Sequence, residues 1–177
     1  ADELIKPHGS DTLNPLYVSD DAKRAELEKE AETLPSIVVC SQAAANAVML
    51  GGGYFNPLKG YMDLEESLLV AEKMQTKDGL FWPVPIVNVV KDSSPIKDAK
   101  RIALRDPNVS GNPVLAIQDV ERIDEATDEQ MTKMAQQIYG TTDINHPGVV
   151  VWMDQGRSFI AGPIQVLSFS YFEKEFP

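Results

Sequence analysis

One cysteine, two histidines and a shortage of basic residues limit what these 177 residues can do. With Cys40 alone, no internal disulfide can form. It closes the apolar run Ile37-Val38-Val39-Cys40, where a thiol reads as a buried small hydrophobe rather than a nucleophile. His8 and His146 together with one thiol cannot make up a zinc ligand set, so no metal site is expected. Each histidine lies in a Pro/Gly loop and reads as exposed or turn-forming, not catalytic. Lys and Arg number 16 against 27 Asp and Glu, a formal net charge of −11. Nucleic-acid binding normally leaves a basic footprint, so no nucleic acid is expected as partner. No apolar run reaches the roughly 18 residues of a membrane span, and no apolar leader opens the chain. The expectation is a cytoplasmic domain without a membrane partner.

Nucleotide and hydrolase signatures are missing too. Gly51-Gly52-Gly53 has no further glycine at dinucleotide-fingerprint spacing, no Walker A sequence occurs, and no serine sits in a nucleophile elbow. The acidic pairs Asp20-Asp21 and Glu65-Glu66 read as a helix start and a solvated helix face. No catalytic, cofactor-binding or metal-binding residue is therefore assigned in this chain.

What is present is an ordinary globular composition, 43% hydrophobic and 24% charged. A helix is expected over 22–34, begun at Ser19-Asp20-Asp21 and stopped by Pro35, followed by a strand over 37–40. Ser41 is read as the cap of a helix over 42–50 that the triple glycine ends. Asp63 with Glu66 resembles a capping box for a helix reaching about residue 75. Residues 80–90 read as a strand, either at an edge or bulged, because Pro83 and Pro85 remove two donors from one side. Residues 101–105 and 114–120 form a hairpin signal. Thr127 with Gln130 opens a helix whose Met131, Met134, Ala135 and Ile138 keep helical spacing, closed by Gly140. Residues 149–153 and 159–168 are read as the last strands. Short strands joined by turns argue for α+β with an antiparallel or mixed barrel.

Six segments follow one another in a recognisable order. They are Lys6-Pro7-His8-Gly9, the loop GGGYFNPLKGYM from Gly51 to Met62, and Asp78-Gly79 with FWPVPIVNVV from Phe81 to Val90. Arg101 to Asp106 with PVLAIQDVERI, YGTTDINHPGV from Tyr139 to Val149, and GPIQVL from Gly162 to Leu167 complete the set. Together they resemble the N-terminal domain of the sulfate adenylyltransferase (ATP sulfurylase) family, and the forms from sulfur-metabolising bacteria look most similar. The resemblance implies a PUA-like mixed β pseudo-barrel with several peripheral helices. It also implies a parent nucleotidyltransferase of sulfur metabolism that joins ATP and sulfate into adenosine 5′-phosphosulfate and pyrophosphate, or the reverse, using Mg2+. The family's Q-x-R-N-P and H-x-x-H segments do not occur here, so the chain alone is expected to be inactive. Gly53, Gly60 and Pro57 are read as serving backbone geometry.

A start at Ala1 and an aromatic-rich end at Ser170-Tyr171-Phe172 are read as marks of a piece of a longer protein. The expected division is 1–168 as the PUA-like domain and 169–177 as the start of a linker to a catalytic domain. That catalytic domain is the expected partner, with a homodimer through Phe169, Tyr171, Phe172 and Phe176 as a further expectation. The alternative is a free-standing PUA-like module that binds RNA or protein, against which the acidic charge speaks.

Overall fold

Strand β7, Ser158–Val166, is the hub on which the other strands are hung. The computed structural model describes residues 17–53, 55 and 58–167; the Lys6–Gly9 motif, Tyr54, Asn56, Pro57 and the aromatic tail lie outside the described residues. The sheet runs β1 (Ser36–Val38), β4 (Arg101–Arg105), β5 (Val114–Asp119), β7, β2 (Gly60–Tyr61). β3 (Val89–Val90) and β6 (Arg122–Glu125) also pair with β7. β1 lies parallel to β4 and every other pairing is antiparallel, so the sheet is mixed. With five α-helices around it among the described residues, α1 (Asp21–Ala31), α2 (Ser41–Gly51), α3 (Leu64–Lys73), α4 (Asp128–Tyr139) and α5 (Pro147–Asp154), the architecture is α+β.

β7 changes partners midway along its length. Its first residues pair with β3 and β6, and its last with β5, while Gly162 and Pro163 pair with β2. The change of direction that wraps the sheet into a half-barrel requires a residue without a side chain. Gly162 sits at φ 144°, and a Cβ there would lie 1.8 Å from the Asp119 carbonyl oxygen. Gly60 faces it, and a Cβ on Gly60 would lie 2.0 Å from the Gly162 carbonyl oxygen. The two glycines let three strands cross at a distance no other residue permits.

Polar groups buried under this crossing are cross-linked. Gln118 Nε2 donates to the carbonyls of Ile160 (3.0 Å) and Gly162 (3.3 Å), and Asn88 Nδ2 donates to Gln118 Oε1 (3.1 Å). Both side chains are fully buried. An unmade bond here costs the full desolvation of the group, so the network fixes one arrangement of β3, β5 and β7. Around it the large core gathers residues of α2, α3, α4, α5 and the sheet. A second, small core places Leu27 and Ala31 of α1 against Ala103, Ile117 and Leu167. Ile102 and Leu104 enter the large core while Ala103 enters the small one, as alternation along β4 demands.

Several expected elements appear as read. The β4–β5 hairpin is present, with a register shift at Leu104/Arg105. α4 carries the full capping box, Thr127 Oγ1 accepting from Gln130 and Gln130 Oε1 from Thr127, and ends at Gly140 with φ 73°. α3 has only half of its box: Asp63 accepts from the Glu66 N–H, but the Glu66 carboxylate takes the Lys77 N–H instead.

Others differ. Residues 149–153 are helix α5, not a strand. Pro147 occupies the first turn, and Val149 and Trp152 are buried at helical spacing. Strand alternation would have buried Val151 and Met153, which are exposed. Of the strand expected over 80–90, only β3 forms. The prolines leave the rest to scattered bonds, among them Thr76 N–H to the Leu80 carbonyl (2.8 Å), Trp82 N–H to the Met74 carbonyl (2.7 Å) and Met62 N–H to the Ile86 carbonyl (2.8 Å). Ser41 is the first residue of α2, not its cap; the cap position is Cys40, which supplies no side-chain bond. α1 ends at Ala31, short of Pro35. β6, which carries charged Arg122, Asp124 and Glu125, had no strand signal in sequence.

Candidate functional site

Three connected clefts run along one face of the molecule. The first, of about 550 Å³, lies where the end of β1 and the start of α2 meet β3 and α5, between Val38, Cys40, Val90 and Val151. The second, about 210 Å³, shares Gln42, Val151 and Gln155 with the first and adds Asn46, Val84 and Tyr139. The third, about 410 Å³, shares Gln42, Asn46 and Val84 with the second and opens onto Phe81, Trp82 and Pro83. Apolar walls with a few convergent polar groups are the form of a recognition site.

The walls are apolar and unusually open. Val38, Val84, Val151 and Phe81 are 48%, 42%, 57% and 60% exposed. Their backbones are held by the fold: Val151 by α5, whose Trp152 donates from Nε1 to the Met131 carbonyl (3.0 Å), and Val84 by the proline pair around it. The floor is made of amides. Gln42 Nε2 donates to Asn46 Oδ1 at 3.3 Å, one turn along α2. Asn46 itself is largely buried. Gln155 Oε1 lies 3.9 Å from Cys40 Sγ, and Gln155 Nε2 is buried without a partner. At the rim, Lys91 pairs with Asp154 at 3.6 Å.

Cys40 is half-buried and lines the first cleft, so the reading of a fully buried thiol is corrected. The chain passes from β1 into α2 at this residue, which leaves one side of its side chain open. Just beneath, the Tyr61 hydroxyl donates to the Ala43 carbonyl (2.6 Å). Burial, with the nearby Cys40 charge adding to it, pushes that phenol far above its ordinary range, so it stays a neutral donor.

His146 caps α5: its Nδ1 accepts from the Gly148 N–H (3.1 Å), and its ring lies 5.5 Å from that of Tyr139. The expected turn-forming role is what the geometry shows; His8 lies outside the described residues. Gly148 must be glycine for the same contact, because a Cβ there would lie 2.5 Å from Tyr139 Cε1. Asp20 caps α1 and Asp21 pairs with Arg24.

A fourth cleft of about 270 Å³ lies over Gly60 and Gly162, lined by Asp63, Glu66, Glu121 and Lys77 among others. Lys77 Nζ is 3.0 Å from Asp63 Oδ2. Partial burial alone would raise the Asp63 carboxyl, but the Glu66 N–H and the Lys77 ammonium outweigh it and hold the group below the usual carboxylate range. The hydrogen bond to Asp63 raises Lys77 in turn, against a smaller opposing effect of burial. Among the described residues no three His, Cys, Asp or Glu side chains gather so as to hold a metal ion. No helix among the described residues is long and apolar enough to cross a membrane.

Sequence reasoning assigned nothing to Gln42, Asn46, Gln155, Val84 or Val151. The one signal was the pair Gln42 and Asn46, polar at i and i+4 on a helix otherwise built of Ala, Val, Met and Leu.

Comparison with known proteins is consistent across the chain. Residues 5–169 match the PUA-like domain family. A sulfate adenylyltransferase of Alcanivorax borkumensis is 56% identical over 174 residues, 98% of this chain and 43% of that protein. One from Allochromatium vinosum is 53% identical over 98% of this chain and 44% of its own length. The chain thus spans less than half the length of these curated relatives. Among solved structures, the hexameric APS kinase from Thiobacillus denitrificans superposes with a TM-score of 0.64 at 27% identity, over 93% of this chain and 27% of that one.

Proposed function

The chain belongs to the PUA-like domain family, and on that premise we propose that it is the N-terminal, non-catalytic domain of a sulfate adenylyltransferase. In this reading the parent enzyme makes adenosine 5′-phosphosulfate and pyrophosphate from ATP and sulfate, or runs the reverse. This domain is a scaffold that packs against the part carrying the chemistry. ATP and Mg2+ belong to that other part.

The observation that carries the reading is the fate of the motif residues. Gly60 and Gly162 serve a strand crossing, Gly140 ends a helix, His146 caps one and Gly148 makes room for a tyrosine. Each has a structural task that accounts for its residue type. Attack at the α-phosphate needs basic groups to offset charge in the transition state. The clefts described here offer the paired Lys91 and, in the fourth cleft, more acids than bases.

Pyrophosphate release from ATP with sulfate or molybdate tests this. The chain alone is expected to give none. Turnover of about 1 per second, ordinary for an enzyme, would overturn the proposal.

A further inference from the structure

We propose that the face formed by the three connected clefts is the docking surface for the remainder of the longer polypeptide, and that it receives a segment presenting backbone carbonyl oxygens between apolar side chains. The inference rests on the scaffold reading above and names the surface through which it operates.

Three observations select this occupant. First, the relatives are more than twice as long as the matched stretch, so over half of each lies beyond it and requires a surface to pack on. Second, Val38, Val84 and Val151 are held out of the core by backbone the fold fixes elsewhere, and they line one continuous furrow instead of being scattered. Isolated surface valines are ordinary; a joined row of them marks an interface. Third, the floor is made of amides, and one donor among them is unmet: Gln155 Nε2 is buried without a partner among the described residues, while Gln42 and Asn46, bonded to each other, line the same cleft. Buried amides are almost always satisfied, and main-chain groups are the commonest partners of side-chain amides.

Charge argues against a second copy as occupant. The chain carries a net charge of −11, and the charged residues lining the furrow are Lys91, Asp92 and Asp154, acids in excess, so two copies brought face to face would repel. A partner domain of different charge meets no such barrier.

The test uses this chain alone and this chain replacing the matched 174 residues of the Alcanivorax borkumensis relative. Each carries Cys40→Ala and one new thiol, either Val151→Cys in the furrow or Glu28→Cys on the exposed face of α1. Maleimide labelling of each peptide is followed by mass spectrometry. Position 151 is expected to label at least about tenfold more slowly in the long protein than in the chain alone. Position 28 is expected to label equally in both. Equal rates at 151, in a long protein that still unfolds as one unit, would overturn the docking face and leave the scaffold reading standing. Equal rates in a protein whose two parts melt separately would overturn both. Protection at 151 in the chain alone, lost on dilution, would identify a second copy as the occupant and sink the proposal.

Discussion

At Gly162 the carbonyl of Asp119 stands where a side chain would begin; at Val151 a whole isopropyl group stands in the open. The two positions are eleven residues apart in sequence (162 − 151), on either side of the turn at Gly156. Around Gly162 three strands cross, and Gln118 and Asn88 cross-link them, with Asn88 Oδ1 left unpartnered among the described residues. Around Val151 apolar walls stand open beside Gln155, whose Nε2 has no partner among the described residues. Residue type at the first place is set by folding. At the second the side chain stands exposed, which is why a partner is proposed there.

The sharpest way to break this contrast is to substitute at both ends of it. Gly162→Ala combines a left-handed φ with a Cβ inside an oxygen's contact distance. We expect a loss of about 4 kcal/mol or more, or failure to fold, read by urea denaturation. Val151→Ser, on the open face, is expected to change stability by less than about 0.5 kcal/mol. A mild Gly162→Ala would mean the crossing relaxes easily, and the contrast would collapse.

The polar network offers a finer probe. Gln118→Leu leaves Asn88 Nδ2 without a partner and removes one bond each from two carbonyls, and should cost about 2–3 kcal/mol. Adding Asn88→Leu should recover part of that loss, because it removes an orphan instead of creating one. If the double variant costs the sum of the singles, the pair is not coupled.

The smallest effect is a pH dependence at α3. The Asp63 carboxyl is held below its unfolded value of about 3.9, so its contribution is present above that pH and fades as pH falls through the folded value. Lys77 is raised, so its share is present below about pH 10.4 and is lost as pH climbs through the folded value. Asp63→Asn keeps a good cap and removes the charge, so stability should fall less steeply at both extremes. An unchanged profile would place the acid sensitivity elsewhere.

What could be read from the sequence follows the same division. α4 and the β4–β5 hairpin were legible because their signals are local: a capping box, a regular stripe and a turn. α5 was not, since a run of β-branched residues outvoted the Pro147 start signal, and the packing of Trp152 decides the matter only in three dimensions. β6 owes its pairing to β7 and not to its own residues. The candidate face was the least legible part. Its members come from β1, α2, the proline segment and α5, and an exposed valine looks like a buried one in sequence.

The central claim is that this domain is a scaffold whose unused face is completed by the rest of a longer protein. Calorimetric unfolding of the chain alone, and of the same chain set into the Alcanivorax borkumensis relative, puts that claim to the most direct test. The account predicts one cooperative transition in the long protein, at a higher temperature than the chain shows by itself. Two transitions, one of them at the isolated chain's own temperature, would contradict it.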